Sequence, residues 1–320
     1  MMPADDNEYP IEIEPIDISA YREGNSGVPY VTTFDGVKPG PHVMVNALTH
    51  GNELCGAYAL EFLFRQRVRP RRGRLTLGFA NVAAYHRFDA SNPGASRFVD
   101  EDLNRVWTDA TLDGPRDSVE LRRAREMRPI IDDVDFLLDI HSMQHATPPL
   151  LLCGPMAKGR RLAFALGAPV NVVSDVGHAA GRRLRDYNAF SRPRTRHNAL
   201  LVECGQHWER QSVDVAIEIT LRFLKHFDVI DPALTRRFLP TTPPPPQRLI
   251  EVTEAVTVTT KRFAFTEAFQ GQEMIPEAGT VIARDGKRAI RTPYDNCVLI
   301  MPSRRLWPGQ TAVRLGRVVQ

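Results

Sequence analysis

A histidine and a glutamate three positions apart, His50 and Glu53, are the first residues in the chain whose types and spacing indicate metal chemistry. They follow an apolar run at 43–48 and precede a helical pattern at 54–64, so we predict a strand that turns into a helix here. Such a turn directs an imidazole and a carboxylate at one ion beyond the carboxyl end of the strand. The alternative is a glutamate at the start of a helix beside an unrelated polar histidine.

A second histidine, His141, follows the apolar run of residues 135–140 and offers the remaining ligand. Two histidines and one glutamate suit a catalytic Zn²⁺ that keeps a fourth coordination position open for water. A single histidine at a strand end is more often a hydrogen-bonded loop residue. Asp139 lies on the same face of this predicted strand, where it is placed to orient the imidazole or is simply a polar strand residue.

Glu203 is a carboxylate inside an otherwise apolar strand pattern, 199–205. Burial of a carboxylate costs free energy unless the group is paired or functional. Beside a metal centre it would act as a general base towards water and then as a proton donor to a leaving amine. A salt bridge to one of the many arginines explains the residue equally well.

The segment 95–107 carries Arg97, Asn104 and Arg105 in a region with little apolar periodicity. A guanidinium group can polarise a carbonyl or hold a carboxylate with two hydrogen bonds. A solvated charged loop is the simpler interpretation of the same residues.

The elements that would position these side chains alternate between strands and helices. This alternation predicts an α/β fold with a mixed, mostly parallel sheet flanked by helices. The segment 83–117 is predicted as a long loop, and Ser118 as the N-cap of a helix. The predicted strands are 11–18, 28–34, 43–48, 75–82, 135–142, 149–154, 169–173 and 199–205, and the predicted helices are 54–64, 118–131, 156–166 and 212–228.

Beyond residue 238 the pattern changes. A proline-rich stretch at 239–247 predicts an extended linker. The following 248–320 contain short strand patterns separated by glycines and predict a small all-β barrel or sandwich. The expected organisation is a catalytic domain at 1–238, the linker, and a small β domain.

Composition excludes several classes of protein. A formal net charge of +3 does not favour a nucleic-acid partner, and no apolar run approaches the length of a membrane span. The four cysteines are widely separated, which disfavours a structural zinc site or a disulfide framework. The acidic N-terminal segment lacks the apolar region of a signal peptide, so we expect a cytoplasmic protein.

Taken together, the motifs resemble those of the succinylglutamate desuccinylase/aspartoacylase family, a branch of the zinc carboxypeptidase-like hydrolases. The resemblance covers roughly residues 40–210, and the β-rich C-terminal part fits the second domain of that family. The motifs that carry it are, in order, His50-x-x-Glu53, Arg97 with Asp102-Leu103-Asn104-Arg105, Asp139-Ile140-His141, and Glu203.

The resemblance implies one Zn²⁺ per chain, bound by His50, Glu53 and His141. It implies that Glu203 is the general base and that Arg97 polarises the scissile carbonyl and stabilises the oxyanion. Asn104 and Arg105 match the pair that binds the carboxylate of the substrate. The implied reaction is hydrolysis of the amide bond of a small N-acyl amino acid.

Three questions stay open at the level of sequence. A carboxypeptidase acting on peptide C-termini and a non-catalytic metal-binding protein are the alternatives, and a homo-oligomer is compatible with the sequence. Tyr294 is a candidate site residue from the C-terminal part, although a turn or barrel aromatic is the simpler interpretation. The arginines of 178–197, in particular Arg192, Arg194 and Arg196, suit an anionic acyl group or form a solvated basic loop.

Overall fold

A computed structural model describes residues 9–177, 180–304 and 306–319. The α-helices in this part are α1 (Cys55–Arg65), α2 (Val82–Tyr85), α3 (Asp109–Leu112), α4 (Val119–Asp132), α5 (Ala157–Leu166), α6 (Arg210–His226) and α7 (Pro232–Phe238). The strands are β1 (Val31–Asp35), β2 (His42–Ala47), β3 (Arg74–Phe79), β4 (Phe136–Met143), β5 (Leu150–Leu152), β6 (Asn171–Ser174), β7 (Asn198–Gln206), β8 (Arg248–Thr257), β9 (Phe263–Phe265), β10 (Glu273–Ile275), β11 (Val281–Asp285), β12 (Arg288–Arg291), β13 (Cys297–Ile300) and β14 (Thr311–Val318). The predicted mixed α/β architecture is confirmed.

The central sheet has eleven strands in the order β1-β3-β2-β4-β7-β5-β6-β8-β14-β13-β10. Strands β3, β2, β4 and β7 are parallel to one another, so their carboxyl ends lie along one edge. Each of β2, β4 and β7 is buried on both faces, which explains their nearly continuous apolar runs. The candidate ligands His50 and His141 and the candidate base Glu203 lie at or near this shared edge.

Helices cover both faces of the sheet. In β2, Val43 and Val45 belong to the apolar cluster beneath α1 and α6, whereas Met44 belongs to the cluster beneath α4. This division follows from the alternation of side chains along a strand. Helix α4 begins after Ser118, whose hydroxyl accepts a hydrogen bond from the backbone amide of Leu121, as expected for the predicted N-cap.

The C-terminal strands continue the large sheet. Strand β8 pairs in parallel with β6, and β14, β13 and β10 then follow in antiparallel order. A small antiparallel sheet, β12-β11-β9, lies beside them, and the two share their own apolar cluster around Phe263, Ile282 and Leu315. The division into domains at 239–247 stays a prediction.

The prediction of a strand at 11–18 was wrong. The segment is irregular, although Ile13 and Ile18 are buried as the alternating pattern suggested. Pro10 and Pro15 have no amide hydrogen to donate to a strand ladder. The segment is held instead by scattered contacts, such as the hydroxyl of Tyr58 with the carbonyl of Glu14.

The long loop predicted at 83–117 contains most of helix α2, the short helix α3 and two turns of 3-10 helix, at Pro93–Arg97 and Leu103–Arg105. No helix in the described part of the chain has the length and apolar character to cross a bilayer. Residues 1–8, on which the expectation about a signal peptide partly rests, lie outside the described residues.

Candidate functional site

The turn after β2 places His50 and Glu53 beneath the carboxyl edge of the sheet, and both side chains are buried. The turn requires Gly51, since a Cβ atom there would lie within 2.5 Å of backbone atoms of Ala84, Tyr85 and Ser96. The amide of Gly51 donates to the carbonyl of Arg97 at 3.1 Å, which joins this turn to the loop of residues 97–105. Two motifs that are far apart in sequence are thus held together by backbone contacts.

The two histidines face opposite oxygens of one carboxylate. His50 Nδ1 lies 2.7 Å from Glu53 Oε1, and His141 Nδ1 lies 2.8 Å from Glu53 Oε2. One donor atom from each of the three residues lies within 4.8 Å of the others, so the set could hold a metal ion. Two imidazole nitrogens and one carboxylate oxygen are a donor set that binds zinc in catalytic sites.

The far nitrogen of each imidazole is held by a second carboxylate. Asp102 Oδ1 lies 2.9 Å from His50 Nε2, and Asp139 Oδ2 lies 2.9 Å from His141 Nε2. Such contacts orient a metal-binding imidazole and raise its basicity. The orienting role considered for Asp139 agrees with this contact. The corresponding contact of Asp102 was not predicted, because the sequence gives no sign that its loop returns to His50.

Their surroundings shift the pKa values of the two buried glutamates in opposite directions. Burial acts to raise the pKa of Glu53, but the charges of His50 and His141 outweigh it and hold that pKa well below its usual range. Burial raises the pKa of Glu203, and the charge of Glu53 adds to the effect while His141 opposes it. Glu53 is therefore suited to remain an anion, and Glu203 is suited to exchange a proton.

Glu203 reaches the site from β7, where it is the register partner of His141 on β4. Neighbouring strands direct register partners to the same face of a sheet, so the two side chains share the cavity. Glu203 Oε2 has no hydrogen-bond partner among the described residues. The alternative of a salt bridge to an arginine is not what the geometry favours, since none of the ion pairs in the described part of the chain includes Glu203 within 4.0 Å.

Arg97 contacts two of the three candidate metal ligands, and also Asp102. Its Nη1 donates to Glu53 Oε1 at 3.2 Å, and its Nη2 lies 2.9 Å from His50 Nε2 and 3.2 Å from Asp102 Oδ2. Asn104 is fixed by its Oδ1, which accepts from the amide of Leu184 at 2.8 Å. The loop therefore presents a positive charge beside the candidate ligands rather than a solvated surface.

A cavity of about 350 Å³ joins all seven of the site residues predicted from sequence. Its C-terminal side consists of residues after β13 that sequence reasoning missed, and no motif marks them. They include Met301, Trp307, Gln310, Thr311 and Arg314. Burial lowers the pKa of Arg314 to about 10, and its Nε lies 3.8 Å from Asp175 Oδ2.

The remaining candidates from sequence lie away from the cavity lining. The hydroxyl of Tyr294 is 2.7 Å from Thr253 Oγ1, and the guanidinium of Arg317 covers its ring. Arg196 is largely exposed and pairs with Asp135 at 2.8 Å. Of the basic segment 178–197, Arg183 lines the cavity instead of Arg192, Arg194 and Arg196, while His178 and Ala179 lie outside the described residues.

Comparison with known sequences gives one family. Residues 39–227 match the succinylglutamate desuccinylase/aspartoacylase catalytic domain. An N-acyl-aromatic-L-amino acid amidohydrolase (carboxylate-forming) of Rattus norvegicus is 31% identical over 127 residues, which are 36% of this chain and 37% of that protein. Its counterpart A of Danio rerio is 36% identical over 107 residues, 29% of this chain and 30% of that protein. The aligned part thus spans about a third of each relative.

Solved structures share the fold over nearly the whole chain. A succinylglutamate desuccinylase from Vibrio parahaemolyticus has a TM-score of 0.69 at 16% identity and covers 91% of this chain and 87% of that one. A succinylglutamate desuccinylase/aspartoacylase from Rhodobacter sphaeroides has a TM-score of 0.63 at 19% identity, with coverages of 91% and 89%. At these identities the similarity concerns the fold alone.

Proposed function

We propose, because the chain belongs to the succinylglutamate desuccinylase/aspartoacylase family, that it is a zinc-dependent deacylase of small N-acyl amino acids. The observation that carries the proposal is the meeting of His50, Glu53 and His141 with the buried Glu203 in one cavity. The amidohydrolase activity for which the relatives from rat and zebrafish are named is consistent with it.

The donor set fits zinc. His50 and His141 would bind through Nδ1, because their Nε2 atoms already face Asp102 and Asp139, and Glu53 would supply an oxygen. Zinc held by this set supplies Lewis acidity, which lowers the pKa of water and polarises the scissile carbonyl. We propose one Zn²⁺ per chain.

The remaining residues divide the work of amide hydrolysis. Glu203 accepts the proton of the water that adds to the carbonyl carbon, and it returns that proton to the amine nitrogen as the C–N bond breaks. Arg97 stabilises the negative charge that develops on the carbonyl oxygen. Arg105, with Asn104, binds the free carboxylate of the amino-acid part. The products are a carboxylic acid and an amino acid.

The shape of the cavity supports a small substrate. Its volume of about 350 Å³ is near the lower end of ligand pockets. Residues of the C-terminal part, among them Met301, Trp307 and Arg314, line it together with the strand-end residues and limit the space for a long peptide. This arrangement disfavours the alternative of a carboxypeptidase.

The test combines metal content with a hydrolysis screen of N-acetyl and N-succinyl amino acids. We expect about one Zn²⁺ per purified chain, with release of the free amino acid. His50→Ala should abolish both, whereas His86→Ala, at an exposed histidine outside the cavity, should change neither. A folded protein that binds no metal and hydrolyses none of these substrates contradicts the proposal.

A further inference from the structure

Glu120 is a fully buried carboxylate that does not line the cavity. It lies in the first turn of α4, two residues after the N-cap Ser118. Burial of a carboxylate is costly unless hydrogen bonds or opposite charges replace water. The groups that replace water around Glu120 therefore indicate why the side chain is there.

Four N–H groups donate to this one carboxylate. Oε1 accepts from Asn81 Nδ2 at 3.0 Å and from the amide of Val99 at 2.7 Å. Oε2 accepts from the amides of Asp100 and Glu101 at 3.0 and 3.2 Å. Three consecutive backbone amides of one loop thus converge on a single side chain from another element.

No lysine or arginine in the described part of the chain forms an ion pair with Glu120 within 4.0 Å. The negative charge is balanced by N–H dipoles and by its position near the N-terminus of α4, where helix amides favour an anion. The contact is reciprocal, since Asp100 Oδ2 accepts from the amide of Val119 at 2.8 Å. The loop at 99–101 and the first turn of α4 are therefore joined by hydrogen bonds in both directions.

The residues fixed in this way lie between the side chains that face the cavity. Arg97 precedes the anchored amides by two positions, Asp102 follows them directly, and Asn104 and Arg105 come next. The same loop has short 3-10 turns but no strand or long helix to set its conformation. The position of this loop therefore depends on contacts to neighbouring elements. At residues 99–101, Glu120 provides these contacts through hydrogen bonds to the three backbone amides.

We propose that Glu120 is a positioning residue of the site, whose carboxylate fixes the backbone at 99–101 and thereby sets where Arg97, Asn104 and Arg105 meet the substrate. The substrate roles of these three residues rest on the proposed function. The anchoring itself rests on the four hydrogen bonds alone.

A carboxylate is needed at this position, and a side chain of the same size is not enough. Glutamine has one acceptor oxygen, and its amide nitrogen would face two of the N–H donors. Glu120→Gln therefore removes about half of the anchoring contacts while it preserves volume. Glu126→Gln is the matched control, because Glu126 lies on the same helix and is largely exposed.

The first measurement is hydrogen exchange of the intact protein, followed by mass spectrometry. Peptides covering 97–105 should exchange at least about tenfold faster in Glu120→Gln, whereas peptides from β4 and β7 should not change. Glu126→Gln should leave all of them unchanged. Unchanged exchange at 97–105, or equal acceleration throughout the chain, overturns the proposal.

The second measurement separates positioning from a loss of folded protein. It compares kcat/KM for an N-acyl amino acid with that for its carboxamide, which lacks the carboxylate. The preference for the free acid should fall at least about tenfold in Glu120→Gln, whereas a smaller folded fraction would lower both rates equally. A preserved preference contradicts the proposal.

Two further outcomes are distinguishable. If Glu120→Gln does not fold, Glu120→Asp keeps the charge but draws the carboxylate away from the three amides of 99–101. It should accelerate exchange in the same peptides, and no acceleration there overturns the anchoring role. A wild-type protein that hydrolyses no N-acyl amino acid contradicts the proposed function, while the exchange result still decides the anchoring.

Discussion

The two sides of the cavity differ in how their side chains are held. On the strand-end side (His50, Glu53, Arg97, His141 and Glu203), all but Glu203 have their polar atoms engaged with one another or with Asp102 and Asp139. On the C-terminal side (Met301, Trp307, Gln310, Thr311 and Arg314), all but Arg314 are partly or fully exposed. The first side therefore has a fixed geometry, whereas most side chains of the second side are open to solvent.

This difference predicts that substitutions on the strand-end side should change metal binding or kcat, and those on the C-terminal side should change KM. This prediction would be wrong if a strand-end variant changed only KM, or if a C-terminal variant changed metal binding or kcat.

Among variants that keep the metal, the largest loss of turnover is expected for Glu203→Gln. Loss of the proton acceptor should lower kcat by about 10²–10⁴-fold, while zinc content stays as in the wild type because Glu203 is not among the proposed ligands. Steady-state kinetics and metal analysis on the same preparation test this. Glu218→Gln, at a partly exposed residue of α6, is the control. Retention of turnover would remove Glu203 from the proposed mechanism.

The pH dependence of the wild type tests the same residue without a substitution. Glu203 accepts a proton only as a carboxylate, so kcat/KM should fall as the pH falls through its pKa, which burial raises. In Glu203→Gln the residual kcat/KM should not fall in this pH range. An identical fall in both proteins would mean that another group is responsible for it.

A smaller change, in metal affinity, is expected for Asp102→Asn. The asparagine keeps the shape but not the charge that faces His50 Nε2 and Arg97, and metal affinity should fall by about 10–100-fold. Competition with a chelator measures this. Asp109→Asn, at an exposed aspartate of α3, should retain the wild-type affinity, and equal affinity in both variants would contradict the orienting role.

On the C-terminal side, Arg314→Gln should raise KM for N-acyl amino acids by roughly tenfold and change kcat by less than about threefold. Arg314 lines the cavity, and the substitution removes a positive charge that would attract an anionic substrate. Arg317→Gln is matched, since it lies on the same strand β14 but covers Tyr294 instead of the cavity. A loss of kcat without a change in KM in Arg314→Gln would indicate that this arginine acts in turnover, as expected for the strand-end residues.

The mildest change is expected for Tyr294→Phe. It removes a partly exposed hydrogen bond to Thr253 and should cost about 1 kcal/mol of unfolding free energy or less, with kcat and KM unchanged. Urea unfolding and kinetics measure the two quantities. A change in KM would indicate that Tyr294 contacts the substrate.

Much of the fold could be predicted, because its signals are local. The buried strands β2, β4 and β7 are continuous apolar runs, and the cap of α4 is a serine before a helical pattern. The strand predicted at 11–18 failed although its apolar alternation is real, because alternation indicates burial on one side and not a partner strand.

The types of the candidate metal ligands and of the candidate base follow from the amino-acid sequence alone. His50, Glu53, His141 and Glu203 stand at or near the ends of apolar runs, and parallel strands bring such ends to one edge. Their number, order and chemistry could therefore be predicted from local patterns.

Which of the other charged residues share that site depends on the tertiary fold. Asp102 meets His50, and Arg183 and Arg314 line the cavity, whereas the equally basic Arg192, Arg194 and Arg196 do not. Nothing in residue type distinguishes these arginines. Loop positions follow from long-range contacts, such as those of Glu120 with the amides of 99–101, and contacts between distant segments leave no periodic signal in the sequence.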